Sequence, residues 1–225
     1  MSLSTYVSRM KEGQEAIYYI TADGFPAARS SPHLEIFRKL GVEVLLMYDR
    51  VDEWLVSGLT EFEDKPLHSV TKGGLDIGKL GGEAAAPGPS HADEHRAIVE
   101  RIHGALKERA SAVRVTDRLT DSPACLVTDE HGISANLERM LKAAGQKVPA
   151  SRPVLEINPR HPIVQRLKDE ADESRFSDWS HILFDQATLA EGGQLEDPAG
   201  FVKRLNELML TLAGGGASRI WMPGA

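Results

Sequence analysis

Residues 17–48 read IYYITADGFPAARSSPHLEIFRKLGVEVLLMY, and the order of patterns in this stretch decides the fold class. Ile17 to Thr21 is aromatic and β-branched, the composition of a strand. Ser31-Pro32 marks a helix start, with proline at the first helical position and Glu35 in the first turn. Leu34, Phe37 and Leu40 follow at helical spacing, and Gly41 stops the helix. Val42 to Tyr48 is a near-continuous apolar run, predicted to be a strand covered on both faces. Beyond it, Asp49 caps a helix carrying Val51, Leu55 and Leu59, and Leu67 to Thr71 forms a further short strand. Strand and helix in alternation predict a small α/β layer with a mainly parallel sheet.

The alternation stops at Gly73 to Ser90, a stretch dense in glycine and proline that opposes both helix and strand. It divides the chain into an α/β segment over 1–82, a linker over 83–91, a second domain over 92–213 and an irregular tail over 214–225. The second domain reads as α+β. A helix over 92–106 places Ile98, Ile102, Ala105 and Leu106 on one face. Strands at Val113–Leu119 and Ala124–Thr128 flank the turn Thr120-Asp121-Ser122-Pro123. A helix over 133–144 ends at Gly145, and Val154–Ile157 is a third strand. Pro162 opens a new helix after Asn158-Pro159-Arg160-His161. Helices at Asp178–Glu191 and Pro198–Ala213 form a closing helical hairpin, its short connector running from Gly192 to Glu196.

Composition narrows the function. Lys plus Arg is 26 against 33 Asp plus Glu, a net charge of −7 with no basic block, which argues against nucleic acid. No apolar stretch is long enough to span a bilayer, and MSLSTYVSRMKEG lacks a signal-peptide core. One cysteine, Cys125, excludes an intramolecular disulfide and fits the reducing cytoplasm. Its apolar strand context is that of a buried structural thiol, not of a nucleophile.

Two motifs invite chemistry. Gly73-x4-Gly78-Lys79 resembles a phosphate-binding loop, but Leu80 stands where a Ser or Thr would hold magnesium, and no helix follows. His91-Ala92-Asp93-Glu94-His95 matches a zinc-peptidase pattern, with two His on one helix face and Glu94 as base. A catalytic zinc also needs a third ligand and a shaped cavity, whereas these flanks are charged. No catalytic residue and no metal ligand is therefore assigned.

The terminal helices speak of partners. Phe201, Leu205, Leu208 and Leu212 follow a 4-3-4 spacing broadened by Val202 and Met209, and the preceding helix offers Trp179, Ile182, Leu183 and Leu189. Such a hairpin can cover its own sheet, or pair with a second copy into a four-helix bundle. The breadth of the stripe points to the second, a homodimer.

Several long motifs, in order along the chain, resemble the ninety-kilodalton heat-shock protein family of molecular chaperones. They are Tyr6-Val7-Ser8-Arg9-Met10-Lys11-Glu12-Gly13-Gln14 with Ile17-Tyr18-Tyr19-Ile20, then Ser31-Pro32-His33-Leu34-Glu35, Asp52-Glu53-Trp54 and Lys72-Gly73-Gly74-Leu75-Asp76-Ile77-Gly78. In the second half, Arg118-Leu119-Thr120-Asp121-Ser122-Pro123-Ala124, Ala143-Ala144-Gly145-Gln146-Lys147-Val148-Pro149 and Asn158-Pro159-Arg160-His161-Pro162 resemble the family's bacterial branch. The resemblance implies the last α/β segment of the family's middle domain followed by its dimerisation domain. The ATP- and magnesium-binding domain would lie upstream of this chain, which is expected to have no cofactor and no enzymatic activity of its own. Met1-Ser2-Leu3 reads as an artificial start, and the tail lacks the acidic end that recruits helical-repeat co-chaperones.

The resemblance also implies partly folded proteins as clients, in a cytoplasmic stress response. Ile133, Leu137, Met140 and Leu141 share one helix face; periodicity alone would pack that face on its own domain, whereas in the family the matching helix is mobile and faces the cleft between protomers. Trp54 is offset by ~100° from Leu55 and can flank the core, and beside Glu53 it would suit mixed apolar and basic segments. Two alternatives stay open: a zinc-dependent hydrolase on His91, Glu94 and His95, and a free-standing dimeric adaptor beginning at Met1.

Overall fold

The computed structural model describes residues 2–73, 75, 94–129, 132–147 and 152–214. Its first half runs α1 (Leu3–Val7), β1 (Ile17–Thr21), α2 (Phe25–Ser30), a 3-10 turn (Pro32–Leu34), α3 (Glu35–Leu40), β2 (Leu45–Met47), α4 (Arg50–Gly58), β3 (Glu61–Phe62) and β4 (Lys65–Ser69). The sheet order is β2-β1-β4-β3. Strand β1 lies between parallel partners, with Tyr19 opposite Leu45 on one side and Ser69 on the other. This central place matches its sequence, since all five β1 residues are buried. Ser31 Oγ accepts from the His33 amide at the 3-10 turn, and Gly41, at φ +64°, closes α3 in the left-handed region that glycine adopts freely.

Two expectations for this half need correction. Val42–Tyr48 is not a strand covered on both faces: β2 spans three residues, all half-buried, at the sheet edge. An uninterrupted apolar run does not tell a central strand from an edge one. In α4 the stripe of Val51 and Leu55 faces solvent, at 66% and 47% exposure, while Glu53 is 3% exposed and points inward. The helix docks through a carboxylate, and its apolar face is left outside. Helix α2, which the sequence pattern did not mark, packs beside β2.

The second half runs α5 (Arg96–Leu106), β5 (Ala112–Val115), β6 (Ala124–Val127), α6 (Ala135–Ala143), β7 (Val154–Ile157), α7 (Pro162–Lys168), α8 (Glu173–Ala190) and α9 (Pro198–Gly214). Strand β7 lies between β5 and β6, parallel to the first and antiparallel to the second, so the two strands flanking the Thr120–Pro123 turn are not neighbours. Ile98, Ile102 and Leu106 of α5 meet Leu155 and Ile157 of β7 and Phe176 and Leu183 of α8 in the core. Helix α8 begins five residues before the expected Asp178, because Asp172 caps it by accepting from the Arg175 amide. The acidic residues from Asp169, the C-cap of α7, to Glu173, in the first turn of α8, thus join the two helices.

The sheets meet where the first half ends. Lys72 and Thr128 form an isolated parallel bridge, and the Gly73 amide donates to the Thr128 carbonyl at 2.9 Å. Gly78, Lys79, the linker over 83–91 and the tail beyond 214 lie outside the described residues. Among the described residues, no helix is long and apolar enough to cross a membrane.

Candidate functional site

The residues that the motifs single out converge on the joint between the two halves. Glu35, in the first turn of α3 and 9% exposed, sends its carboxylate into the Thr120–Ser122 turn. Its Oε2 accepts from the amides of Thr120 at 2.6 Å and Asp121 at 2.8 Å, and its Oε1 accepts from the Ser122 amide at 3.1 Å and from Ser122 Oγ. Burial pushes the carboxyl pKa up, but the bonds from Ser122 and the turn amides outweigh it and hold the group below its usual range. The donors of the turn are therefore satisfied by a buried carboxylate supplied by the other half of the chain.

Arg118 crosses the joint in the opposite direction. It is 7% exposed, pairs with Glu156 Oε2 at 3.0 Å, and donates to the Val70 carbonyl at 3.2 Å. Glu156, buried on β7, also holds Arg114 at 2.8 Å. His33 is fully buried, with its Nε2 2.7 Å from Glu191 Oε1 at the end of α8. Sequence reasoning missed the roles of Glu35, Arg118, Glu156 and His33. The available signal was a charged residue inside an apolar run, as in Val-Leu-Glu-Ile over 154–157, because a buried charge needs a partner.

The expected client residues fall into two kinds. Trp54 is 59% exposed and stands with Val51 and Leu55, while Phe25 and Tyr48, themselves nearly half exposed, meet edge to face. Glu53 is not on that surface. Its carboxylate accepts from Ser134 Oγ at 2.8 Å and Asn136 Nδ2 at 2.9 Å, and so ties α4 to the start of α6. Ser134 also caps α6, accepting from the Leu137 amide. Ile133 is exposed, while Leu137, Met140 and Leu141 are half-buried. A cavity of about 510 Å³ lies beside α6, lined by its Asn136, Arg139 and Lys142 and, across the space, by Leu126, Phe184 and Thr188. The helix turns its polar side chains to this space, while Leu137, Met140 and Leu141, half-buried, do not line it.

The expected dimer residues divide as well. Trp179 and Leu183 are buried in the core cluster that covers the chain's own sheet, and Ile182 is buried as well. Leu189 is 46% exposed. On α9, Phe201, Leu205 and Leu208 are half-buried, with Leu208 packed on the core. The outer face carries Val202, Met209 and Leu210 at 51%, 59% and 72% exposure. Leu212 lies on α9, but its side chain is outside the described residues.

His95 is buried at the start of α5, while His91 lies outside the described residues. Among the described residues no group of three or more His, Cys, Asp or Glu is placed to hold a metal ion. Cys125 is buried, and desolvation, with the Glu156 carboxylate next in weight, pushes its thiol pKa well up.

Comparison with known proteins places this architecture. A family model described as "Hsp90 protein" matches residues 1–219. The proteins named "Chaperone protein HtpG" from Dechloromonas aromatica and Nitrosospira multiformis are 61% and 62% identical over 214 and 212 residues. The one from Aromatoleum aromaticum is 60% identical over 215 residues. Each alignment covers 94–95% of this chain but 33% of the relative, so the chain spans about a third of the length of the curated relatives it matches. The matched residues take in both sheets, the buried charges that join them, and the exposed apolar faces of α4 and α9; the chain belongs to the Hsp90 protein family.

Proposed function

We propose that this chain supplies the carboxy-terminal part of an ATP-dependent chaperone working in the cytoplasmic stress response. Its contribution is homodimerisation through α8 and α9, and part of the surface that holds partly folded clients. ATP and magnesium belong to another part of the protein, and this chain hydrolyses nothing by itself. The observation that carries the reading is the apolar surface left in solvent at two places. Val51, Trp54 and Leu55 line one, and Val202, Met209 and Leu210 the other. Contiguous exposed apolar groups mark interaction sites. The α9 face suits a second copy, because the same helix in a two-fold arrangement buries the same side chains on both sides. The α4 face, small and centred on one tryptophan, suits weak and varied segments, and a dimer presents it twice.

Light scattering at micromolar concentration tests the first part. A dimer is expected, and a double change of Met209→Glu and Leu210→Glu should yield a monomer of unchanged stability; a monomer for the unmodified chain refutes it. Binding of an unfolded model protein tests the second. Trp54→Arg and Leu141→Asp should each weaken it, and unaltered binding by both refutes the proposed surface.

A further inference from the structure

Helix α9 is held lightly. Among the described residues it contributes no fully buried side chain. Leu208 rests on the core, and one ion pair, Arg204 to Asp185 Oδ2 at 3.3 Å, ties α9 to α8. Asp185 is 2% exposed and is shared: its Oδ1 accepts from Arg109 at 2.6 Å. The Arg109 guanidinium lies over the Phe184 ring, 4.4 Å from its centre. One buried carboxylate thus balances two guanidinium groups, one from the segment after α5 and one from α9.

His181 stands one turn before Asp185 on α8, half-buried, with Nδ1 3.5 Å from an Arg109 terminal nitrogen. A guanidinium only donates, so this contact is a hydrogen bond only while Nδ1 carries no proton. The charged groups around the ring are Arg109 from the segment after α5, Arg204 from α9, and Asp185 and Asp178 from α8 itself.

We propose that His181 is a pH-sensitive latch on α9: neutral, it accepts from Arg109 and leaves both arginines to share Asp185; protonated, it places a third cation there and loosens α9. The consequence for assembly, a weaker dimer in acid, rests on the reading of α9 as the dimer helix. Burial, and then Arg109 and Arg204, hold the His181 pKa below its ordinary value, with Asp185 and Asp178 opposing them in part. A histidine pKa lowered on folding contributes stability that is present above the unfolded value, about 6.5, and is lost as pH falls through the folded one.

The test compares the full chain with His181→Gln, measuring thermal unfolding and dimer dissociation at about pH 7.5 and about pH 5.5, either side of the ordinary histidine value. The unmodified chain should lose stability and dimer affinity in acid, with each pH unit crossed between the two pKa values worth up to about tenfold. His181→Gln should lose distinctly less of both. An NMR titration should place His181 below the ordinary value, and Arg204→Gln should move it upward. Equal acid sensitivity in the two chains, or a His181 that titrates at or above the ordinary value, overturns the latch. A chain that is monomeric at every pH refutes the dimer reading and with it the consequence for assembly, and the unfolding comparison alone then decides the latch.

Discussion

Replacing Glu35 by Gln probes how the two halves are held together. The amide keeps the shape of the side chain and one acceptor oxygen. Placed at the Oε2 position, that oxygen still accepts from the Thr120 and Asp121 amides, now without a charge. The amide nitrogen then occupies the Oε1 position, where it meets the Ser122 N–H donor at about the 3.1 Å of the present bond. Hydrogen bonds to a charged acceptor contribute about 1.5–3 kcal/mol each, roughly twice the neutral value. The Ser122 hydroxyl, which donates to Oε1, can turn to accept from that nitrogen, again without a charge, and the Ser122 N–H keeps only its longer contact to Oε2 at 3.2 Å. Weakening these four bonds together gives a loss of about 2–4 kcal/mol. Urea unfolding followed by circular dichroism should show it as a midpoint lowered by about 1–2 M, at a slope near 2 kcal/mol per molar. The effect must also depend on pH. The Glu35 carboxyl is held below its usual range, so its contribution is full above about pH 4.3 and is lost as pH falls through the folded value. The difference between the two chains should therefore shrink in acid. A change under about 0.5 kcal/mol at neutral pH, the size of an ordinary surface substitution, would refute the reasoning.

Other outcomes follow from the same structure. Glu53→Ala removes the acceptor of Ser134 Oγ and Asn136 Nδ2, so it should destabilise by about 2–4 kcal/mol, whereas Trp54→Arg on the neighbouring position should stay within about 0.5 kcal/mol; calorimetry distinguishes the two, and equal effects would mean that α4 is docked the other way round. Leu208→Asp should both split the dimer and destabilise the fold, because Leu208 packs on the core, while Leu210→Asp should act on assembly alone. Cys125 should resist a thiol reagent in the native chain near neutral pH and react fully once unfolded; rapid native labelling would contradict its buried, protonated state.

Much of this was legible in the residues. The β1 strand, the Gly41 stop, the starts of the helices at Pro162 and Pro198, and the buried face of Ile98, Ile102 and Leu106 all follow from local preferences and periodicity, which act over a few neighbouring residues. The family motifs were equally readable, because they are strings of residues. What no string could disclose is which face of an element meets which neighbour. The periodicity of α4 offered Val51 and Leu55 for burial, yet Glu53 goes inside, because Ser134 and Asn136, more than 80 positions away, supply the hydrogen bonds that a buried carboxylate needs. Trp179 and Leu183 belong to their own sheet, since α8 lies directly on β6, and the apolar surface of the hairpin that stays in solvent is Leu189 and the outer face of α9. Local sequence determined the elements and their caps; the pairing of buried charges across long separations, which depends on distance and dielectric and on no periodicity, decided how the elements dock and which apolar faces remain for a partner.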